Sequence, residues 1–125
     1  MSGRKLAELW DLSEGLGAGA YELRVGGELV GKGRKVCELW EHPDGLELRA
    51  IVGAFHFETL RASDERQAEM AAEFESIEAL RLFLNGTAPV INVGQVGAEL
   101  HAAQRKAIDA AREIVAAADE AAAGR

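Results

Sequence analysis

At 125 residues the chain has room for one domain, 1–125, large enough to bury a core without disulfides or metals. Its 48% hydrophobic and 28% charged residues exclude a disordered, collagen-like or disulfide-stapled chain. With 21 acids against 14 bases the net charge is -7, which removes the main driving term for general nucleic-acid binding.

The acidity is uneven: residues 1–62 carry 10 acids and 8 bases, residues 63–125 carry 11 acids and 6 bases. The single cysteine, Cys37, excludes an intrachain disulfide. Arg4-Lys5 is followed by Glu8, Asp11 and Glu14 rather than by an apolar leader, so the expected home is the cytoplasm, or a virion component assembled inside a cell. No apolar run approaches the roughly 20 residues of a membrane span. The 23 alanines, and 10 arginines against 4 lysines, fit a GC-rich bacterial or phage genome.

In chain order, Leu6, Leu9 and Trp10 fall at i, i+3 and i+4, so 4–12 reads as a short N-terminal helix. The glycine-rich stretch 15–19 ends it. Tyr21 to Val25 alternates and reads as a half-buried strand, with a turn at Gly26-Gly27. Residues 28–30 resume pairing before a cationic tip at 31–35. Val36 to His42 is the next strand, and Pro43-Asp44-Gly45 is a turn. Leu46 to Thr59 is a long strand with a bulge at Gly53, where apolar parity changes. Together 20–59 reads as an antiparallel meander of three or four strands.

Ser63-Asp64-Glu65 opens a helix over about 64–85. Met70, Phe74, Ile77, Leu80 and Leu84 set its buried stripe, and Asn85-Gly86 stops it. Pro89 to Val93 is a short edge strand. A long C-terminal helix over about 97–122 carries Leu100, Ala107, Ile114 and Ala121 at seven-residue spacing. That narrow alanine-rich stripe suits close approach of a partner helix, and the tail 116–125 is expected to fray. No repeat stands out at solenoid periods. The expected class is α+β, with helices over one sheet face.

Motifs for chemistry are sparse. Gly26 to Lys32 matches G-x-x-x-x-G-K, but Gly33 replaces the magnesium-binding Ser or Thr and a strand follows. Lys32, Arg34 and Lys35 form a cationic tip, read as a contact for an anion or acidic partner. Cys37, His42, His56 and His101 match no metal-ligand spacing, and no metal or cofactor is expected. Cys37 with His56 is a conceivable nucleophile pair. His56 and Glu58 share a strand face, with Tyr21 nearby, as candidates for acid–base work in a sheet concavity.

The most informative feature is that 46–57 carries apolar side chains on both faces: Leu46, Leu48 and Val52 on one, Ile51, Phe55 and Phe57 on the other. Both faces need cover, from the first helix or from another subunit. The leading expectation is a non-enzymatic interaction or assembly protein, a homo-oligomer or adaptor. Its interface would comprise Trp40, Phe55 and Phe57 on the sheet, and Leu100, Ala107, Ala111 and Ile114 on the last helix. One alternative is a small-ligand protein or enzyme around His56, Glu58 and Tyr21. The other is an acidic inhibitor of a nucleic-acid-binding protein, through Glu65, Glu69, Glu73, Glu75 and Glu78.

Overall fold

The computed structural model describes residues 3–12, 20–26, 33–52, 65–86, 90–92 and 97–124. Strands β1 (Arg4–Asp11), β2 (Tyr21–Val25), β3 (Arg34–His42) and β4 (Gly45–Ala50) precede helix α1 (Glu65–Asn85). A short strand β5 (Val90–Asn92) and helix α2 (Gly97–Ala123) follow. The sheet order is β4-β3-β1-β2-β5, antiparallel except for the β2–β5 pair. The α+β class, the antiparallel sheet, the packed helix and the long C-terminal helix stand as expected.

The first segment does not. Arg4–Asp11 is a central strand, not a helix, and so cannot cover a sheet face from outside. The cause is a β-bulge at Leu6, between the pairs Lys5↔Trp40 and Ala7↔Leu39. The extra residue sends Leu6 and Ala7, two successive side chains, into the core. Strict alternation is lost, and the remaining spacing imitates a helix.

A second copy of the same segment lies alongside. Arg4-Lys5-Leu6-Ala7-Glu8-Leu9-Trp10 recurs as Arg34-Lys35-Val36-Cys37-Glu38-Leu39-Trp40, and Glu22-Leu23-Arg24 recurs as Glu47-Leu48-Arg49. The pairing obeys this repeat. Glu8 faces Arg24 and Glu38 faces Arg49; Leu9 faces Leu23 and Leu39 faces Leu48; Trp10 faces Glu22 and Trp40 faces Glu47. Between the two pairs, β1 and β3 meet with Glu8 opposite Glu38, Arg4 opposite Glu41 and Arg34 opposite Asp11. The second bulge falls at Val36, the counterpart of Leu6. The four antiparallel strands are thus two copies of one strand pair, related by a local two-fold axis near Glu8 and Glu38.

One face of this sheet carries the core. Leu9, Leu23 and Leu39 are fully buried there, with Val25, Val36 and Cys37 around them. Burying each leucine is worth roughly 1.5–3 kcal/mol. Both helices meet this face through small residues: Ala68, Ala72, Ser76 and Ala79 from α1, and Ala107, Ala110 and Ala111 from α2. Small side chains let a helix axis approach the sheet closely, while the sheet supplies the bulk. Ser76 Oγ donates to Ala72 O at 2.8 Å, which satisfies its buried hydroxyl.

The expected α1 stripe is therefore corrected. Leu80 is buried, and Ile77 and Leu84 are half-buried, but Met70 and Phe74 face outward. The α2 stripe is turned inward: Ala107 and Ala111 are in this chain's own core, and Ile114 packs against it. They are spent on the sheet rather than presented to another subunit. The 116–123 stretch continues as helix, tied to α1 where Arg81 Nη1 meets Asp119 Oδ1 at 2.8 Å. The β3–β4 turn is the expected one, with Gly45 at φ +146°, a conformation that side-chain-bearing residues rarely adopt.

Candidate functional site

The face of the sheet away from the helices is a lattice of charges and indoles. In the first strand pair, Lys5 Nζ lies 2.6 Å from Glu8 Oε2, and Trp10 Nε1 donates to Glu8 Oε1 at 3.0 Å. In the second, Lys35 Nζ lies 2.8 Å from Glu38 Oε2, and Trp40 Nε1 donates to Glu38 Oε1 at 2.8 Å. Arg24 stacks over the Trp10 ring at 4.4 Å, and Arg49 over the Trp40 ring at 3.9 Å. Arg24 also pairs with Glu22, as Arg49 pairs with Glu47. Each of these contacts on one half has its counterpart on the other.

The electrostatics repeat too. Burial pushes the Glu8 carboxyl up, but the bonds from Lys5 and Trp10 and the nearby Lys35 outweigh it, so the net shift is down. Glu38 is lowered in the same way, burial being overcome by Lys35, Trp40 and the more distant Lys5. The lattice is self-neutral: Lys5, Arg24, Lys35 and Arg49 balance Glu8, Glu22, Glu38 and Glu47.

The halves differ in cover. The Arg24 and Glu22 side chains are only 7% and 8% exposed, whereas Arg49 and Glu47 are 42% and 41% exposed. The open half also holds His42, which stacks on Trp40 and bonds Glu47. That bond is the leading cause of the lowered Glu47 carboxyl.

Two further surfaces stand out. On α1, Met70, Phe74 and Leu82 are 57%, 69% and 53% exposed. Met70 and Phe74 are one turn apart on the side opposite the alanine row. Between α2 and the β4 end of the sheet lies an open groove of about 450 Å³, floored by Leu6, Leu46, Ala102 and Ala110. Arg105 Nη2 donates to His101 Nε2 at 3.0 Å on its rim, and Lys106 Nζ pairs with Glu41 Oε1 at 2.9 Å.

The sequence candidates distribute as follows. His56, Glu58, Phe55, Phe57, Lys32 and the bulge at Gly53 lie outside the described residues. Leu100 lies in α2. Tyr21 is half-buried beside the core, its phenol pushed up by burial and then by Asp11 and Glu75. Trp40 is on the outer face and half-buried.

The cationic tip is not free. Arg34 Nη2 contacts Asp11 Oδ2 at 3.4 Å and Glu75 Oε2 at 3.1 Å, and Lys35 is held by Glu38 and Glu8. Both charges are thus paired with the chain's own acids. Cys37 is buried under Ser76, its thiol pushed up to about 12 by burial against the opposing Ser76 bond. A protonated, inaccessible thiol is no nucleophile. Glu65, Glu69 and Glu73 are exposed, but Glu75 serves Arg34 and Glu78 serves Arg81. The repeated Arg-Lys-x-x-Glu-Leu-Trp was visible in the sequence as a signal for the lattice.

Comparison with protein-family models, with curated proteins and with solved structures returned no match. No helix among the described residues is long and apolar enough to cross a membrane.

Proposed function

We propose that this chain is a non-enzymatic interaction or assembly domain that self-associates through α1. The observation that carries this is the outward Met70–Phe74 pair, with Leu82 exposed two turns further along, on a helix whose buried side is Ala68, Ala72, Ser76, Ala79, Leu80 and Phe83. Covering each large side chain is worth roughly 1.5–3 kcal/mol, so a partner surface there has a clear driving force. Surrounding Arg66, Gln67 and Glu73 are exposed and would form a polar rim.

The test is light scattering with native mass spectrometry on the full chain and on the double variant Met70→Glu/Phe74→Glu. Self-association in the wild type, and a monomer with unchanged circular dichroism in the variant, is the expected pair of results. A monomeric wild type whose mass and surface-dye binding match the variant's would overturn the proposal.

A small-ligand role is favoured by one observation, the mostly apolar groove rimmed by Arg105, His101 and Lys106. Glu41, Asp109 and Glu113 line it as well, so a small amphipathic molecule with both donors and acceptors fits that chemistry. Arg105→Ala should then remove a ligand adduct seen in the native mass of the wild type.

A further inference from the structure

We propose that the outer edge of β4 is a docking site for an extended segment of another protein. The segment adds as a strand parallel to β4, with β-branched apolar residues on the helix side. This rests on the interaction reading above and names a second, distinct surface for it.

The local two-fold carries the inference. Its operation exchanges β2 and β4, so the outer edges of these strands are equivalent positions. On β2 that edge is filled: β5 pairs with it in parallel, Leu23 with Val90, Arg24 with Ile91 and Val25 with Asn92. On β4 the matching residues are Leu48, Arg49 and Ala50, and among the described residues no strand pairs with them on that side.

The backbone groups are in place. Gly45 follows the two-residue turn opposite His42, and Ile51 N donates to Val36 O at 3.0 Å. Bonding alternates along an antiparallel strand, so Gly45, Glu47, Arg49 and Ile51 turn their groups toward β3. Leu46, Leu48 and Ala50 turn theirs to the opposite edge, which no strand occupies among the described residues. Gly45-Leu46-Glu47-Leu48-Arg49-Ala50 also lacks the proline, lysine or bulge that commonly blocks an edge.

The side chains show what is missing. Leu23 is 0% exposed beneath its neighbour β5, whereas its counterpart Leu48 is only half-buried. The same contrast separates Arg24 from Arg49 on the outer face. An added strand with a branched apolar residue beside Leu48 would cover it from the side on which β5 pairs with Leu23. The open groove reaches Leu46 on the same strand. A second copy of this chain is the weaker occupant. The free strand it offers is its own β4, which a two-fold would pair antiparallel, whereas the filled edge takes a parallel strand.

The probe is a fluorescent peptide copying residues 88–93, the sequence around the one strand that fills the equivalent edge. Fluorescence anisotropy on the full chain should show saturable binding. Backbone N-methylation of the peptide should abolish it, and Leu48→Pro, which removes the outward N–H along with the side chain, should weaken it roughly tenfold or more and further than Leu48→Ala, which keeps that N–H. Amide shifts of the labelled protein should move at Leu46, Leu48 and Ala50. Four results would overturn the proposal: no binding at millimolar peptide, equal binding of the methylated peptide, shifts confined to Leu23 and Val25, or a chain dimer that Leu48→Pro dissolves. Loss of assembly on changing Met70 and Phe74, with no peptide binding, would sink this site alone and leave the α1 reading standing.

Discussion

The two halves of the sheet offer one substitution in two environments. Glu22→Gln and Glu47→Gln each remove the carboxylate beside a tryptophan-stacked arginine. In the first half both partners are at most 8% exposed, so Arg24 would lose its nearest counter-charge in a buried place. Breaking a buried pair on one side costs about 3–5 kcal/mol, and the stacked Trp10 and facing Glu8 bring the expectation to about 3 kcal/mol. With a urea m-value of about 1.5 kcal/mol/M, the unfolding midpoint should fall by about 2 M. Arg49 and Glu47 are at the surface, where water replaces the lost partner, so Glu47→Gln should leave the midpoint within error. Urea titrations followed by tryptophan fluorescence read both. Equal shifts, in either direction, would refute the claim that one half of the duplicated lattice is sealed and the other open.

Stability should also depend on acid pH through Glu8 and Glu38, both held below the ordinary value of 4.5. A lowered folded-state value stabilises fully above the unfolded carboxylate range and is lost as pH falls through the folded one, so Glu8→Gln/Glu38→Gln should flatten the acid limb of a Tm–pH curve. Cys37 should react with a thiol reagent at pH 8 many-fold more slowly in the native protein than in urea; fast native labelling would contradict its burial under Ser76. Leu9→Ala and Leu39→Ala, equivalent and fully buried, should each cost about 2–5 kcal/mol and agree closely, while Leu48→Ala should cost less than Leu23→Ala. A calorimetric series that ranks these four differently would contradict the two-fold relation.

Sequence patterning located the turn at Pro43–Gly45, the ends of both helices and the short strand at Val90, because each rests on local chemistry. It failed where two rules gave different answers for the same pattern. Arg4–Trp10 and Arg34–Trp40 share one motif, yet the bulge at Leu6 made the first read as a helix, while branched Val36 made its copy read as a strand. Consistency between the copies would have decided it. The α1 stripe differs for another reason: spacing of large apolar residues predicts burial of Met70 and Phe74, but the alanine row allows closer contact with the leucine-rich sheet. The outer lattice depends on cross-strand register, which no single segment encodes. For the same reason the pairing of Arg34 with Asp11 and Glu75 could not be read from a run of basic residues.

Duplication also bears on where function lies. A recognition site built from the repeated Trp, Glu and Arg residues would occur twice, and one of its copies is almost closed to solvent. The lattice is better explained as structure: indole N–H groups satisfied by carboxylates, carboxylates held by lysines, and arginines stacked on the rings, all across strand pairs. The proposed contact surfaces accordingly use what the repeat does not contain and where its two copies differ. α1 lies outside the repeat and exposes Phe74. The β4 edge is the position at which the copies diverge, because the edge related to it is capped by β5. The proposed docking surfaces, the β4 edge and the outward face of α1, are therefore the places where the two copies differ or where the repeat does not reach.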